Sequence, residues 1–475
     1  MKTQLPNIQT NFADWYNEIV YKAELADHSP VRGTMIIMPY GYAIWERIQL
    51  LLDKRIKETG HKNAAFPLLI PQSFLAREAE HVAGFAPELA VVTHAGGKQL
   101  EEPLVVRPTS ETIIHYCFAR WMKSWRDLPI KVNQWCSVVR WEMRSRPFLR
   151  TTEFFWQEGH TAHETEKEAL HEVELMFSEY QKLAQDILAI PVIIGRKTDQ
   201  ERFPGAIITK TFEGLMPDGK ALQMGTSHYL SQTFAHAFDM KFQNREGAVA
   251  YPYLTSWGVT TRLIGALVMT HGDQLGLILP PEIAPIQVVI VPIIKKDSDA
   301  KTMQAYVSRV EGVLSAVGIR CHIDDNEHQT PGMKFYHWEM KGVPLRIEIG
   351  STECEKNIVL AVNRVNKEKQ EIPFSNVSDA VLQLLDSIQQ QLFNRAKERL
   401  KSQTYQVKKF KEFQDSLEQN GGFYMTSWCG NASCETMLKE HKASIRCITS
   451  DQPSNSVCFA CDASSKHDVA IARAY

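Results

Sequence analysis

Apolar residues recur at helical spacing between residues 41 and 60. Ile44, Trp45, Ile48, Leu51, Leu52 and Ile56 fall on one stripe, and Gly60 supplies a stop. After the turn His61-Lys62-Asn63, the apolar run Ala64 to Ile70 ends at Pro71 and predicts a buried strand. Leu104 to Arg107 predicts a short strand that breaks at Pro108-Thr109-Ser110 and enters a helix through Glu111 and Thr112. Val132 to Glu142 and Thr152 to Trp156 read as two strands joined by a loop carrying Arg144, Arg146 and Arg150. Leu170, Val173, Phe177, Tyr180, Ala184 and Ile187 then mark a long helix.

The pattern changes after Pro280-Pro281 and Pro285, which read as a linker. The order from there is strand Ile286 to Ile293, a helix to about Val317, and strand Arg320 to Asp324. A helix near Met333 to Met340, strands Leu345 to Ile349 and Ile358 to Val362, and a long helix from about Ser378 complete it. Strands alternating with helices predict a small α/β domain with a mostly parallel sheet. Residues 395–411 carry seven Lys/Arg and one Glu, and a cysteine-rich tail follows. Three units are therefore expected, over 1–282, 283–390 and 391–475. That agrees with 475 residues at roughly 150 per domain.

Composition narrows the class. Hydrophobic residues are 44% and charged residues 23%, which excludes a disordered, a collagen-like or a disulfide-stapled chain. A formal net charge of -2 excludes a polycation that coats nucleic acid, while leaving room for local basic patches. Apolar runs such as Val288 to Ile294 fall far short of the ~20 residues a membrane helix needs. The first fifteen residues are polar, without the apolar segment of a secretion signal. A cytoplasmic location is the expectation. Five of the nine cysteines (Cys429, Cys434, Cys447, Cys458 and Cys461) crowd into the last tenth of the chain. In a reducing compartment that reads as metal binding.

Three short segments could carry chemistry. In Arg140-Trp141-Glu142 an Arg on a strand can fork onto a phosphate, and a carboxylate two residues on faces the same side. The same residues would equally serve as an ion pair on a sheet face. In Ser256-Trp257-Gly258, with Thr260 and Arg262, the glycine permits close backbone approach to a ligand. Arg262 could meet a phosphate or simply face solvent at a helix start. Thr109 and Glu111 lie near a helix N-terminus, where their oxygens could hold an ammonium group or cap the helix. Cys429-x4-Cys434 and Cys458-x2-Cys461, with 23 residues between the pairs, fit a closed four-thiolate Zn²⁺ site. Reduced, partly buried thiols are the alternative.

Together these segments resemble the class II aminoacyl-tRNA synthetases, and among them the prolyl-tRNA synthetases of archaeal/eukaryotic-like type. The resemblance covers essentially the whole chain. It runs through Arg32-Gly33, Pro39-Tyr40-Gly41, Phe66-Pro67-Leu68-Leu69-Ile70-Pro71 and Arg107-Pro108-Thr109-Ser110-Glu111. It continues through Val139-Arg140-Trp141-Glu142, Phe154-Phe155-Trp156-Gln157-Glu158-Gly159-His160 and Gly225-Thr226-Ser227-His228. Ser256-Trp257-Gly258, His271-Gly272-Asp273 and the final Ala474-Tyr475 complete the series. One departure is that Thr261, rather than a Gly-rich run ending in Glu, precedes Arg262.

The resemblance implies an α+β fold: an antiparallel-sheet catalytic domain, an α/β anticodon-binding domain and a small zinc-binding α/β C-terminal domain. It implies ligation of L-proline to tRNA(Pro) through a prolyl-adenylate, with ATP and Mg²⁺. Arg140, Glu142 and Arg262 would be catalytic. Arg140 would hold the α-phosphate and the proline carboxylate, and Glu142 would read the adenine amino group. Thr109, Glu111, Trp156, Glu158, His228, Ser256 and Gly258 would receive proline. Thr151, Phe155, Gln223, Thr226 and Thr260 would complete the ATP site, with Phe155 as an adenine stacking surface. The same four cysteines would hold structural Zn²⁺, leaving Cys447 spare, and Tyr475 would reach toward the active site.

The 284–390 region would read two guanines of the anticodon, with Lys334, Phe335, Trp338, Glu339, Arg346 and Glu348 as candidates. The 395–411 run would meet backbone phosphates or form a solvated helix face. The 41–71 helix and strand would build a homodimer interface. The interval from about His160 to Ser256 holds a long helix and a few strands where relatives of bacterial type carry an editing insertion, so no such domain is expected. A non-catalytic synthetase paralogue and another class IIa synthetase (threonyl, glycyl or histidyl) are the competing readings. The retained Arg140, Glu142 and Arg262 argue against the first, and Glu111 with Trp156 against the second.

Overall fold

The structure of the protein, a computed structural model, describes residues 4–75, 89–142, 144–294 and 299–475. Its centre is an 11-stranded sheet. From one edge the strands are Thr404–Gln406, Phe423–Trp428, His467–Arg473, Ala443–Ser450, Val192–Arg196 and Ile208–Leu215. Ala221–Ser231, Tyr253–Thr260, Glu153–His163, Ile130–Val139 and Lys62–Asn63 follow. The pairings are antiparallel except at the two edges.

Helices Pro39–Glu58, Glu166–Lys182 and Arg262–His271 cover one face of this sheet, and their apolar stripes form one core with Phe212, Met224 and Trp257. Helix Glu166–Lys182 starts with a capping box, in which Thr165 and Glu168 satisfy each other's amides. Its Val173, Met176, Phe177 and Tyr180 are buried. The sheet lies close beneath: at Gly159 a side chain would run into the Trp257 ring. The helix expected from 41 to 60 spans Pro39–Glu58.

Four expectations change. The run 64–70 is not one strand. Short strands at Lys62–Asn63 and Leu69–Pro71 belong to different sheets. Pro67, which has no N–H to donate, lies on the crossing. The chain is pinned there by Phe66, whose N–H donates to Gln134 and whose carbonyl accepts from Arg107. The strand expected to run through Glu142 ends at Val139, so Arg140 and Glu142 sit just past a strand end. The 283–390 sheet is half parallel. Cys321–Ile323, Val288–Pro292 and Leu345–Ile349 pair parallel, but Ile358–Asn363 and Lys369–Pro373 return antiparallel. Only residues 350–357 connect Leu345–Ile349 to Ile358–Asn363, too few for a crossover.

The fourth change concerns the basic run. Helix Val377–Ser402 carries Arg395 and Arg399, which donate to the carbonyls of His271 and Thr270 at the end of helix Arg262–His271. Those two cations fasten the units together through main-chain carbonyls. Arg364, gripping the Asp273 carboxylate at 2.7 and 2.8 Å, fastens them too. Among the described residues no helix is long and apolar enough to cross a membrane.

The 391–475 region joins the main sheet where Ile448 meets Arg196. A Cβ at Gly195 would strike the Ile448 carbonyl, so the two strands approach only because that position is glycine. Beside this seam Lys197, Glu213 and Arg446 form a buried charge cluster, with Glu213 accepting from Lys197 at 2.7 Å and from Arg446 at 3.0 Å.

Candidate active site

Strand Glu153–His163 has its odd-numbered side chains toward the helices. Phe155 meets Tyr42 of helix Pro39–Glu58, and the Gln157 amide meets the Tyr180 hydroxyl. Alternation therefore turns Phe154, Trp156, Glu158 and His160 to the other face, where they line a cavity of about 380 Å³. All the residues proposed from the sequence for proline, ATP and catalysis line this cavity except Phe155. Phe155 packs against the core on the helical side of the sheet, away from the cavity. Phe154, one residue earlier, takes its place on the cavity wall.

One end of the cavity is acidic and closely bonded. Glu111 accepts from the Ser256 hydroxyl at 3.0 Å. Glu158 accepts from the Ser110 N–H at 3.1 Å and from Gln134 at 3.0 Å, and meets His160 at 3.1 Å. Burial alone would raise the Glu158 pKa, but hydrogen bonds from His160 and Ser110 more than offset it, so it is lowered and the group stays anionic. His228 contacts Thr209 at 3.0 Å and Thr226 at 2.9 Å. Burial, helped by nearby His160, lowers its pKa to about 3, so it is a neutral ring at physiological pH. Cys136 touches Trp156 and Glu158 from behind, and burial followed by the Glu158 charge pushes its thiol up to about 12. It is held as a neutral thiol.

The other end is cationic. Arg140 donates through Nε to the Pro108 carbonyl at 3.0 Å and lies 5.3 Å from the Trp156 ring and 5.6 Å from that of Phe154. Burial draws its pKa down, while Glu111, Glu158 and Glu142 oppose that and keep it charged. Arg262 is fixed by the carbonyls of Leu149 and Gln223, each at 3.2 Å. Burial and then the Arg140 and Arg150 charges lower it to about 10, so it remains a cation. Glu142 faces Arg150 across the intervening loop at 3.6 Å. Thr151 donates to the Glu153 carbonyl, and Thr260 accepts from the Arg262 N–H. Gly258 approaches the Gln157 carbonyl of the neighbouring strand, so its missing side chain serves the sheet.

Sequence reasoning missed the segment that leaves strand Val192–Arg196. Glu201, Arg202, Phe203 and Pro204 line the cavity, and the Phe203 ring lies 4.6 Å from that of His228. The signal available was Phe203-Pro204-Gly205, a turn with Gly205 at φ +84°.

In the 391–475 region Cys429, Cys434, Cys458 and Cys461 converge, with their sulfurs within 4.8 Å of one another. Cys429 Sγ is 3.8 Å from Cys434 Sγ and 3.7 Å from Cys461 Sγ. Four thiolates ~2.3 Å from a tetrahedral metal are separated by about 3.8 Å, so the set fits Zn²⁺. Cys447 lies apart, buried in the sheet seam. Tyr475 donates its N–H to the Ala221 carbonyl, and its ring lies 5.4 Å from Arg146 and 5.0 Å from Lys220. It lies beside the cavity, not in it.

Of the anticodon candidates, Lys334 and Trp338 are buried and bonded to Asp324, and buried Glu348 pairs with Arg346. Arg346 sits 4.0 Å over the Phe335 ring and also meets Glu339. Phe335, Arg346 and Glu339 keep part of their surface open.

Comparison with known proteins gives a consistent result. The family described as "tRNA synthetase class II core domain (G, H, P, S and T)" matches residues 93–271, and "Anticodon binding domain" matches 287–384. "Prolyl-tRNA synthetase, C-terminal" matches 410–475. Proline--tRNA ligase 2 of Clostridioides difficile (strain 630) is 49% identical, over 99% of this chain and 98% of its own. Proline--tRNA ligase of Acetoanaerobium sticklandii is 50% identical with the same coverage. The prolyl-tRNA synthetase of Cryptosporidium parvum, complexed with L-proline and AMP, superposes with a TM-score of 0.92 at 41% identity over 99% of both chains.

The His228 environment predicts an acid dependence. The unfolded chain binds a proton near pH 6.5 and the native ring only near pH 3, so between those values the unfolded state holds more protons. Stability therefore falls on acidification, by up to about 1.4 kcal/mol per pH unit through this residue. Urea midpoints of the parent and of His228→Asn are expected to draw together from pH 7 to pH 5. A constant gap would contradict the assignment.

Proposed function

The chain belongs to the proline–tRNA ligase family; it is a class II aminoacyl-tRNA synthetase that joins L-proline to tRNA(Pro) using ATP, and we propose that the cavity residues carry the reaction as follows. The observation that carries the proposal is the placement of Arg140. It lies between two buried carboxylates, Glu111 and Glu158, and a second fixed cation, Arg262. Such a cavity takes a cation at one end and phosphate at the other.

The secondary ammonium of proline enters at Thr109 and Glu111, and the ring lies among Trp156, Glu158, His228, Ser256 and Gly258. Arg140 holds the carboxylate beside the α-phosphate. Glu142 meets the adenine amino group, while Thr151, Gln223, Thr226 and Thr260 bound the nucleotide, with Phe154 in the place expected for Phe155. The carboxylate oxygen attacks the α-phosphorus in line, and pyrophosphate leaves with the bonding pair. Arg140 and Arg262 stabilise the charge that develops, and positioning supplies much of the rest. ATP is taken with Mg²⁺ on its phosphates, which neutralises charge there; such ions rely on substrate phosphates with one or two carboxylates. The 3′-terminal ribose hydroxyl of the tRNA then attacks the prolyl carbonyl and AMP leaves.

The three regions 1–282, 283–390 and 391–475 divide the work into catalysis, anticodon reading and a zinc-bearing support. The 41–71 segment supplies a homodimer interface, a reading supported by the exposed Tyr42, Leu50, Leu68 and Leu69. A cytoplasmic location suits nine free thiols and a tRNA substrate. Absence of an editing insertion is supported by the course of the chain from 160 to 256, where a long helix and the strands of the catalytic sheet take up most of the interval.

Three outcomes are expected. Arg140→Ala abolishes proline-dependent ATP–pyrophosphate exchange, and among twenty amino acids the parent responds chiefly to proline; near-normal exchange in the variant would sink the mechanism. Alanyl-tRNA(Pro) incubated with the purified protein stays charged, and its hydrolysis would reveal an editing site. Metal analysis and light scattering on one preparation give one zinc per chain and twice the chain mass of 54.1 kDa. Zinc well below one, or a monomer, refutes the corresponding part.

A further inference from the structure

Strand Val192–Arg196 leads directly into the cavity loop, and the three residues at that junction are each gripped by the 391–475 region. Arg196 pairs with Asp451 at 2.5 Å. Lys197 Nζ donates to the Arg446 carbonyl at 2.9 Å. Thr198 Oγ1 donates to Glu435 Oε1 at 2.7 Å. Immediately beyond them, Glu201, Arg202, Phe203 and Pro204 line the cavity.

The Thr198–Glu435 contact differs from the Arg196–Asp451 pair, whose carboxylate is exposed, and from Lys197, which itself lines the cavity and is shared with Glu213. Thr198 and Glu435 are buried, 1% and 3% exposed, so water does not compete for the bond. Thr198 itself does not line the cavity, yet the next turn of chain does. Glu435 directly follows Cys434, on the short helix Ala432–Thr436, so the thiolate cluster sets its position. Packing alone would be served as well by an apolar pair; a buried carboxylate and hydroxyl instead fix one direction for the chain.

We infer that Glu435 and Thr198 form a latch through which the cysteine-bearing unit sets the position of loop 199–207 over the imino-acid end of the cavity. Both are positioning residues. The inference rests on reading the cavity as a proline-activating site. It separates the two substrates. The loop meets His228 at the proline end, whereas Arg140, Glu142, Thr151 and Arg262 come from elsewhere in the chain. Loosening the latch therefore weakens proline and spares ATP.

The test uses the full-length, zinc-loaded protein with Thr198→Val, Glu435→Gln, the double variant and Thr198→Ser. Loss of one hydrogen bond is expected to raise the KM for proline in exchange roughly tenfold, with the KM for ATP and kcat within about twofold of the parent. The double variant is expected to be no worse than either single, because both remove the same contact. Thr198→Ser, which keeps the hydroxyl, stays near the parent, and zinc content is unchanged in all four. Amides 199–207 exchange with deuterium faster in the valine and glutamine variants without any substrate present. Parallel rises in both KM values, multiplying effects in the double variant, or unaltered amide exchange would overturn the latch. A parent that shows no proline-dependent exchange overturns the reading of the site, and the amide comparison then still decides whether the latch holds the loop.

Discussion

Period-two alternation along strand Glu153–His163 is the constraint on which the molecule turns. One set of side chains must satisfy a helical layer and the other an open, charged cavity. Phe155, Gln157 and Gly159 meet the first requirement; Phe154, Trp156, Glu158 and His160 meet the second. A slip of one residue would exchange the two sets, burying a glutamate among apolar helices and opening a glycine to the cavity. The strand is held against such a slip by ten paired positions with Ile130–Val139 and eight with Tyr253–Thr260.

The cavity divides charge along its length. Carboxylates that are already bonded, to Ser256 on one side and to Ser110, Gln134 and His160 on the other, need no reorganisation to receive an ammonium. The guanidinium groups of Arg140 and Arg262 are likewise fixed by main-chain carbonyls before any phosphate arrives. Ordering these groups in advance is what makes electrostatic stabilisation effective.

Much of this was legible in the sequence, and the failures have causes. Taken alone, Arg140 with Glu142 also fitted an ion pair on a sheet face and Arg262 a solvent-facing helix start; their ordered neighbours fixed the family. The step from Phe154 to Phe155 was lost because two adjacent phenylalanines give alternation no polar marker. The 64–70 run misled because apolar content suggested a strand where Pro67 cannot donate to a ladder. The anchoring role of Arg395 and Arg399 was hidden in the 395–411 run, since a sequence cannot show that carbonyls at the end of another helix await them. The Phe203 loop was hidden for a similar reason: its partner His228 is remote in sequence and the loop has no periodicity.

The seam between strands Val192–Arg196 and Ala443–Ser450 also bears on biosynthesis. A ribosome delivers residues 443–473 long after the strands they complete, so the half-made product carries an unsheltered sheet margin at Val192–Arg196. Lys197 and Glu213 at that margin have no Arg446 beside them until then. Chaperone demand should therefore concentrate in the interval before the final strands emerge, and prematurely terminated chains should be the ones that clump.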